Sequence, residues 1–302
     1  MRIRPLWIAA VAVLLPLAGC GSDAGAGKKK PKKPPATQNT PKETPRPGDQ
    51  TVAMTWQGKT RFYTVHAPPG YTAAKRVPLV VAMHPYPADG AYAARLTGFN
   101  AKADKEGFLV AYPDGLDKAY NALVCCGAED DVGFIGAMAE RLVGIWKADP
   151  RRIYATGISN GGDMSFKLAV ELPDTFAAIA PVSSGYIGLD AAKTTYMPKT
   201  PVSVATFIGG ADQHYDEFEL GITSWTERLS CTAGRPEKVQ GKNVTRTSAK
   251  CRDASDFTTY RLPDMGHSWP GSTDATMGAS EAGIDATDLI WEFFAAHPKI
   301  SP

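Results

Sequence analysis

One stretch restricts the fold of this chain more than any other. Arg152-Ile-Tyr-Ala-Thr-Gly157 is a short apolar run that leads into Gly157-Ile-Ser159-Asn-Gly161-Gly162 and then into a helical pattern through Leu172. A strand that turns sharply into a helix over glycine, serine and glycine leaves room only for small neighbours. The serine then sits at the tip of the turn, with its hydroxyl pushed into the space above a sheet edge. The N–H of the next residue, Asn160, lies at a helix N-terminus, where a developing negative charge is stabilised.

Such a turn belongs inside a parallel sheet, and the flanking sequence agrees. Pro78-Leu-Val-Val-Ala-Met-His84 is a continuous apolar run, as expected of a strand buried on both faces. Phe108–Tyr112, Phe176–Val182, Val202–Ile208 and Thr258–Leu262 read as further strands, and 51–56 with 60–66 as a hairpin around Gly58-Lys59. A helix is expected from Asp131 to Ala148, closed by Asp149-Pro150, and a last helix over Asp285–Ala296. Alternating strands and helices predict an α/β fold with a mostly parallel sheet covered on both faces.

The charge distribution separates the chain into three parts. Residues 1–20 hold Arg2 and Arg4 and no acid, and residues 21–50 hold seven bases and three acids. That leaves 24 bases and 28 acids for residues 51–302, so the net charge of +2 hides a mildly acidic body. Neither the total nor the body makes a case for nucleic-acid binding.

Residues 1–20 read as an export signal, with an apolar run from Leu6 to Ala18 that is too short to span a bilayer. Leu17-Ala18-Gly19-Cys20 has the form of a bacterial lipobox, which makes Cys20 the expected site of lipid attachment. Residues 21–50 contain six prolines and no Phe, Leu, Ile, Val or Met, so they are expected to be a spacer. Residues 51–302 are then one domain, held at a membrane on the outer side of the cell.

A serine hydroxyl is a weak nucleophile without a base and an orienting acid. In this arrangement the chain order is serine, acid, histidine. His267, in the turn-rich Asp264-Met-Gly-His267-Ser-Trp-Pro-Gly271, is the expected base. His297 reads as a helix cap and His214 as exposed or facing substrate. Asp212, after Gly209-Gly210-Ala211, is the expected acid, with Asp216 as its competitor. The loop after the 79–83 strand reads His84-Pro85-Tyr86-Pro87, and proline has no N–H. Tyr86 and Asn160 are therefore the expected backbone donors to an oxyanion. Trp269 and His84 are taken as substrate-flanking, although Trp269 fits a core position equally well. The chemistry needs no cofactor, and no His or acid cluster has zinc-ligand spacing.

With Cys20 assigned to lipid, Cys125, Cys126, Cys231 and Cys251 allow three pairings. Cys231–Cys251 would close a short polar loop and is the expected disulfide, contributing about 3 kcal/mol in the chain-entropy picture. Cys125 and Cys126 remain open to a vicinal bridge, to free thiols or to crossed pairing.

Taken together, residues 78–296 resemble the extracellular poly(3-hydroxybutyrate) depolymerase and feruloyl/acetyl-xylan esterase group of α/β-hydrolases. The likeness rests on P-L-V-V-A-M-H (78–84), C-C-G-A-E-D-D-V-G-F-I (125–135), D-P-R-R-I-Y-A-T-G-I-S-N-G-G (149–162), F-A-A-I-A-P-V-S-S-G (176–185), G-G-A-D (209–212) and G-H-S-W-P-G (266–271). It implies a serine ester hydrolase with Ser159, Asp212 and His267 as its triad. The substrate would be an ester, polymeric in the depolymerase case, with feruloyl or acetyl release from plant polysaccharide as the alternative. A non-catalytic binding lipoprotein on the same scaffold is the reading from another class. The chain departs from the group at His84-Pro85-Tyr86, where His-Gly is common, and at Ile208-Gly209-Gly210, where His-Gly-Thr is common.

Overall fold

The computed structural model describes residues 43–239 and 243–299. The expected signal, Cys20 and the first part of the spacer lie outside those residues. The hairpin forms from β1 (Gly48–Trp56) and β2 (Lys59–Ala67), paired antiparallel around Gln57 and Gly58. Both turn residues have positive φ, 46° and 79°, and a two-residue turn of that kind follows the natural twist of its strands.

Next come β3 (Val77–Met83), α1 (Gly90–Thr97), α2 (Phe99–Glu106) and β4 (Leu109–Pro113). They are followed by α3 (Asp131–Ile145), β5 (Ala148–Ile158), α4 (Asn160–Glu171), β6 (Ala178–Val182), β7 (Ser203–Gly209) and α5 (Tyr215–Arg228). Short β8 (Thr232–Ala233) and β9 (Glu237–Lys238) precede β10 (Thr245–Lys250) and β11 (Asp256–Leu262). Trp269–Pro270 and Gly278–Ala279 pair as β12 and β13 before α6 (Ala286–Ala296) closes the chain.

The main sheet runs β1-β2-β4-β3-β5-β6-β7-β11-β10-β8, with β9 on β10. Its centre, from β4 to β11, is parallel, and the strands on either flank are antiparallel. The alternation along β3 shows why the run is apolar throughout. Leu79, Val81 and Met83 face a core shared with α3, α4 and α5, while Val80 and Ala82 face one shared with α1, α2 and α6. This is the α/β architecture expected, with helices on both faces.

Two boundaries differ from the sequence reading. The spacer was expected to reach residue 50, but β1 begins at Gly48, and the Glu43 carboxylate accepts bonds from Arg141 Nε and Trp146 Nε1. A polar edge strand needs only a partner's backbone, and β2 supplies it, so the absence of apolar residues did not exclude pairing. The helix expected to run to Ala148 ends at Ile145, and Asp149-Pro150 lies inside β5. Pro150 is tolerated there because Ala148 pairs with Val77 and the β3 register shifts before Leu79, which leaves that part of the ladder open.

Candidate active site

The loops that follow the parallel strands gather at one edge of the sheet, the position where open α/β sheets bind ligands. Ser159 stands between β5 and α4 with φ 56° and ψ −124°. A side chain at positive φ is strained by about 1–3 kcal/mol, and the surroundings hold it in place. The Ser159 N–H donates to Val182 O at 3.1 Å, and the Ser159 carbonyl receives the Asp163 N–H at 2.9 Å, starting α4. Gly161 is required by close approach: a Cβ there would lie 2.5 Å from Met83 O and 2.7 Å from His84 O. The helix can therefore lie directly over the end of β3.

Asp212 follows β7 and His267 follows β11, and the adjacent strand ends bring them together. His267 Nδ1 lies 2.6 Å from Asp212 Oδ2. The other carboxylate oxygen receives the His214 N–H at 3.0 Å. Burial alone would raise the Asp212 carboxyl, but the His267 bond and then the His214 N–H hold it below the usual carboxylate range. An ionised Asp212 fixes the proton on His267 Nδ1 and leaves Nε2 facing away from the acid. Asp216, the competitor, is exposed in the first turn of α5.

The His267 loop is tied to the Ser159 turn through Ser183. That hydroxyl donates to Ser268 O at 3.1 Å and accepts the Ser268 N–H at 3.3 Å. Its neighbour Val182 holds the Ser159 N–H. His214 and Phe218 flank the imidazole, with ring centres 6.1 and 6.4 Å from His267.

Among the described residues, neither the Tyr86 N–H nor the Asn160 N–H has a protein acceptor. The side chain of Asn160 is fully engaged. Its Oδ1 receives the Tyr120 N–H at 2.9 Å, and Nδ2 donates to Tyr120 O and Cys125 O at 3.0 and 2.8 Å. Asn160 therefore clamps the long β4–α3 loop against the start of α4. That loop is held from below by a buried pair, Arg61 Nη2 to Asp131 Oδ1 at 2.5 Å. Asp131 Oδ2 also receives the Asn121 N–H. Cys125 and Cys126 are bridged to each other within the loop, and Cys231 is bridged to Cys251 as expected.

Both residues taken as substrate-flanking belong elsewhere. His84 is fully buried and stacked on Tyr120. Its Nδ1 donates to Pro85 O at 2.8 Å and its Nε2 accepts the Gly115 N–H at 3.0 Å. Burial lowers its basicity, as fits a neutral ring braced between two loops. Trp269 is also buried, edge-on to Phe99, and its indole N–H donates to Thr287 Oγ1. It is a core residue, because β12 turns its side chain toward α6 rather than toward Ser159. His297 caps α6, with Nδ1 on Phe293 O and Nε2 on Asp256. Sequence reasoning missed the Ser183 link, the Asn160 clamp and a buried acid in α4, Asp163. The only trace of Asp163 was a charged residue in the first turn of an otherwise apolar helix.

Among the described residues no group of three or more His, Cys, Asp or Glu is placed to hold a metal, and no helix is long and apolar enough to cross a membrane. The elbow and the strand-end acid and histidine define an α/β-hydrolase. Comparison with known proteins makes the class more specific.

Residues 61–197 match the family described as esterase PHB depolymerase, a span that includes Ser159 and Asn160 and stops short of Asp212. The putative esterase NocK of Nocardia uniformis subsp. tsuyamanensis is 27% identical across 94% of this chain and 96% of its own length. Feruloyl esterase B of Piromyces equi is 30% identical over 63% of this chain, which spans about a third (34%) of that longer protein. Among solved structures, the acetyl xylan esterase from Aspergillus awamori superposes with a TM-score of 0.57 at 14% identity, over 81% of this chain and 99% of that one. Residues 61–197 thus carry an esterase PHB depolymerase domain, the relatives include proteins named as feruloyl esterases and a poly(3-hydroxyalkanoate) depolymerase, and the chain is a carboxylic-ester hydrolase with an α/β-hydrolase fold.

Proposed function

We propose that Ser159, His267 and Asp212 form the triad of a serine esterase and that the Tyr86 and Asn160 N–H groups hold the oxyanion. The observation that carries this reading is the 2.6 Å contact between His267 and the buried Asp212 on the edge where the Ser159 elbow stands. Ser159 Oγ attacks the ester carbonyl while His267 Nε2 takes its proton. The tetrahedral oxyanion rests on the two N–H groups, and the alcohol leaves with the proton from His267. Water, deprotonated by the same nitrogen, then cleaves the acyl-serine and releases the acid.

The substrate we infer is an aliphatic polyester of short hydroxyacyl units. Large apolar side chains stand exposed around the oxyanion side: Tyr86 is 52% exposed, Val124 54% and Leu189 89%. Val124 adjoins Cys125, which Asn160 grips, and Gly188, next to Leu189, packs against Leu123 O. An exposed apolar rim suits a water-insoluble chain lying across the site better than a single ring entering a pocket. The alternative substrates are feruloyl and acetyl esters of plant polysaccharide, in keeping with the names of the relatives. A fluorophosphonate probe should label the wild type and fail to label Ser159→Ala. A p-nitrophenyl ester series, run beside polyhydroxybutyrate film, methyl ferulate and acetylated xylan, separates the substrates. Film left intact while methyl ferulate turns over would move the reading to the feruloyl class.

We also propose that the enzyme is exported and tethered through lipid on Cys20, supported by the 6–18 apolar run and the small residues before the cysteine. Residues 1–19 would then be the removed signal, Cys20 the lipid-bearing first residue, the following stretch the tether, and the remainder the catalytic domain. Cys20→Ala should leave the membrane fraction; unchanged partition would count against the anchor.

A further inference from the structure

Beneath the nucleophile turn lies a carboxyl group that the triad does not use. Asp163 occupies the first turn of α4, four residues after Ser159, and its N–H makes the first hydrogen bond of the helix to Ser159 O. Its side chain is buried, and Oδ1 receives the Gly185 N–H at 3.0 Å. Gly185 ends the turn that starts at Ser183, and Ser183 holds both the N–H and the carbonyl of Ser268, next to His267. Gly162 fits here because a Cβ would run into Ser184 of the same turn. One carboxylate thus joins the nucleophile helix to the turn that carries the base loop.

Resting on the triad reading above, the geometry points to Asp163 as a second acid in this site. It is a positioning residue that holds the 183–185 turn and, when ionised, supports the positive charge that forms on His267 during catalysis. Asp212 bonds the imidazole directly, whereas Asp163 acts from beneath the elbow and never meets the substrate. The titratable groups around it are His267, whose charge favours the ionised form, and Glu217 of α5, whose charge opposes it. Asp212 bonds the imidazole itself, and His214 stands beside it. Burial, more than any of these charges, pushes the Asp163 carboxyl up to about 7. The helper is therefore neutral in mild acid and charged in mild base, and its effect on the rate should switch on across that interval.

The test compares kcat and KM for a soluble p-nitrophenyl ester between pH 6 and pH 8.5. Asp163→Asn keeps an acceptor for the Gly185 N–H and loses the charge. It is expected to match wild type at pH 6 and to fall about tenfold in kcat at pH 8.5, with KM unchanged. Asp163→Glu should recover part of that loss at high pH. A ratio of mutant to wild type that stays constant with pH, or no loss at either end, would overturn the inference. If Asp163→Ala fails to fold, the asparagine variant still decides, because the pH dependence of its ratio does not depend on the alanine result. Ser159→Ala, assayed alongside, separates the two levels: activity in that variant removes the triad reading itself. Inert Ser159→Ala with a pH-independent Asp163→Asn removes only the role of Asp163.

Discussion

The two sides of the proposed reaction centre, its acid–base side and its oxyanion side, are held by different physics. On the acid–base side, two short loops leave neighbouring strands and meet through charge: Asp212 to His267, with the Ser183 hydroxyl bracing Ser268. On the oxyanion side, a long loop between β4 and α3 is fixed mainly by backbone groups, with the Asn160 amide gripping Tyr120 and Cys125 from above and Asp131 holding Asn121 from below. Charge orients one flexible side chain and is sensitive to pH. On the other side the bonds of a neutral amide, braced from below by one buried Arg61–Asp131 pair, fix main-chain groups instead. A site built this way should fail through protonation on one side and through loss of packing on the other.

Substitutions can probe that contrast, starting with the largest effect. Ser159→Ala should lower kcat by at least about 10⁴-fold while leaving the melting temperature close to wild type, since the proposed nucleophile contributes strain rather than packing. Arg61→Met on the proposed oxyanion side should cost about 3–5 kcal/mol in urea unfolding, because it leaves the buried Asp131 carboxylate without its cation. Loss of activity in step with stability would show that the loop is held from below.

Asp163→Asn should have the opposite effect on stability. The folded carboxyl titrates at about 7 against an ordinary value of 3.8. Folded wild type therefore binds the extra proton and loses stability as pH rises from about 4 to 7, after which the penalty is constant. The amide avoids that penalty, so the variant should gain on the order of 3 kcal/mol at pH 8 and almost nothing near pH 4. Denaturant titrations at the two pH values check this.

Asn160→Ala keeps the proposed N–H donor and removes only the clamp, so a loss of about tenfold in kcat is expected, the same at pH 6 and pH 8.5. A pH-dependent loss would erase the distinction between the two sides. The smallest effect is expected for Trp269→Phe: about 1 kcal/mol of stability from the lost bond to Thr287, with KM unchanged. A marked rise in KM would return Trp269 to the substrate.

The features legible in the sequence were those whose cause is local. The elbow follows from the need for small residues around Ser159, and Gly161 meets the Met83 carbonyl where that argument requires it. The parallel strands follow from continuous apolar runs, and Asp212 and His267 from loops placed just after strand ends. His84 and Trp269 misled because polar or amphipathic rings beside a site motif look the same in sequence whether they face solvent or core. Whether Nε2 of His84 meets the Gly115 N–H depends on a loop thirty-one residues away. The edge strand at Gly48 was hidden because its bonds use the backbone and leave no mark on composition.

The sequence by itself therefore determined the hydrolase scaffold, the strand–turn–helix at Ser159 and the loops that carry Asp212 and His267, the proposed acid and base. Each of these is written in spacing and residue size within about ten positions. Only the tertiary structure decided which side chains lie near the reaction, because contact across the sheet depends on strand order and twist. By that route Ser183 came to Ser268, Asn160 to Cys125, and a buried Asp163 to the turn beneath the base.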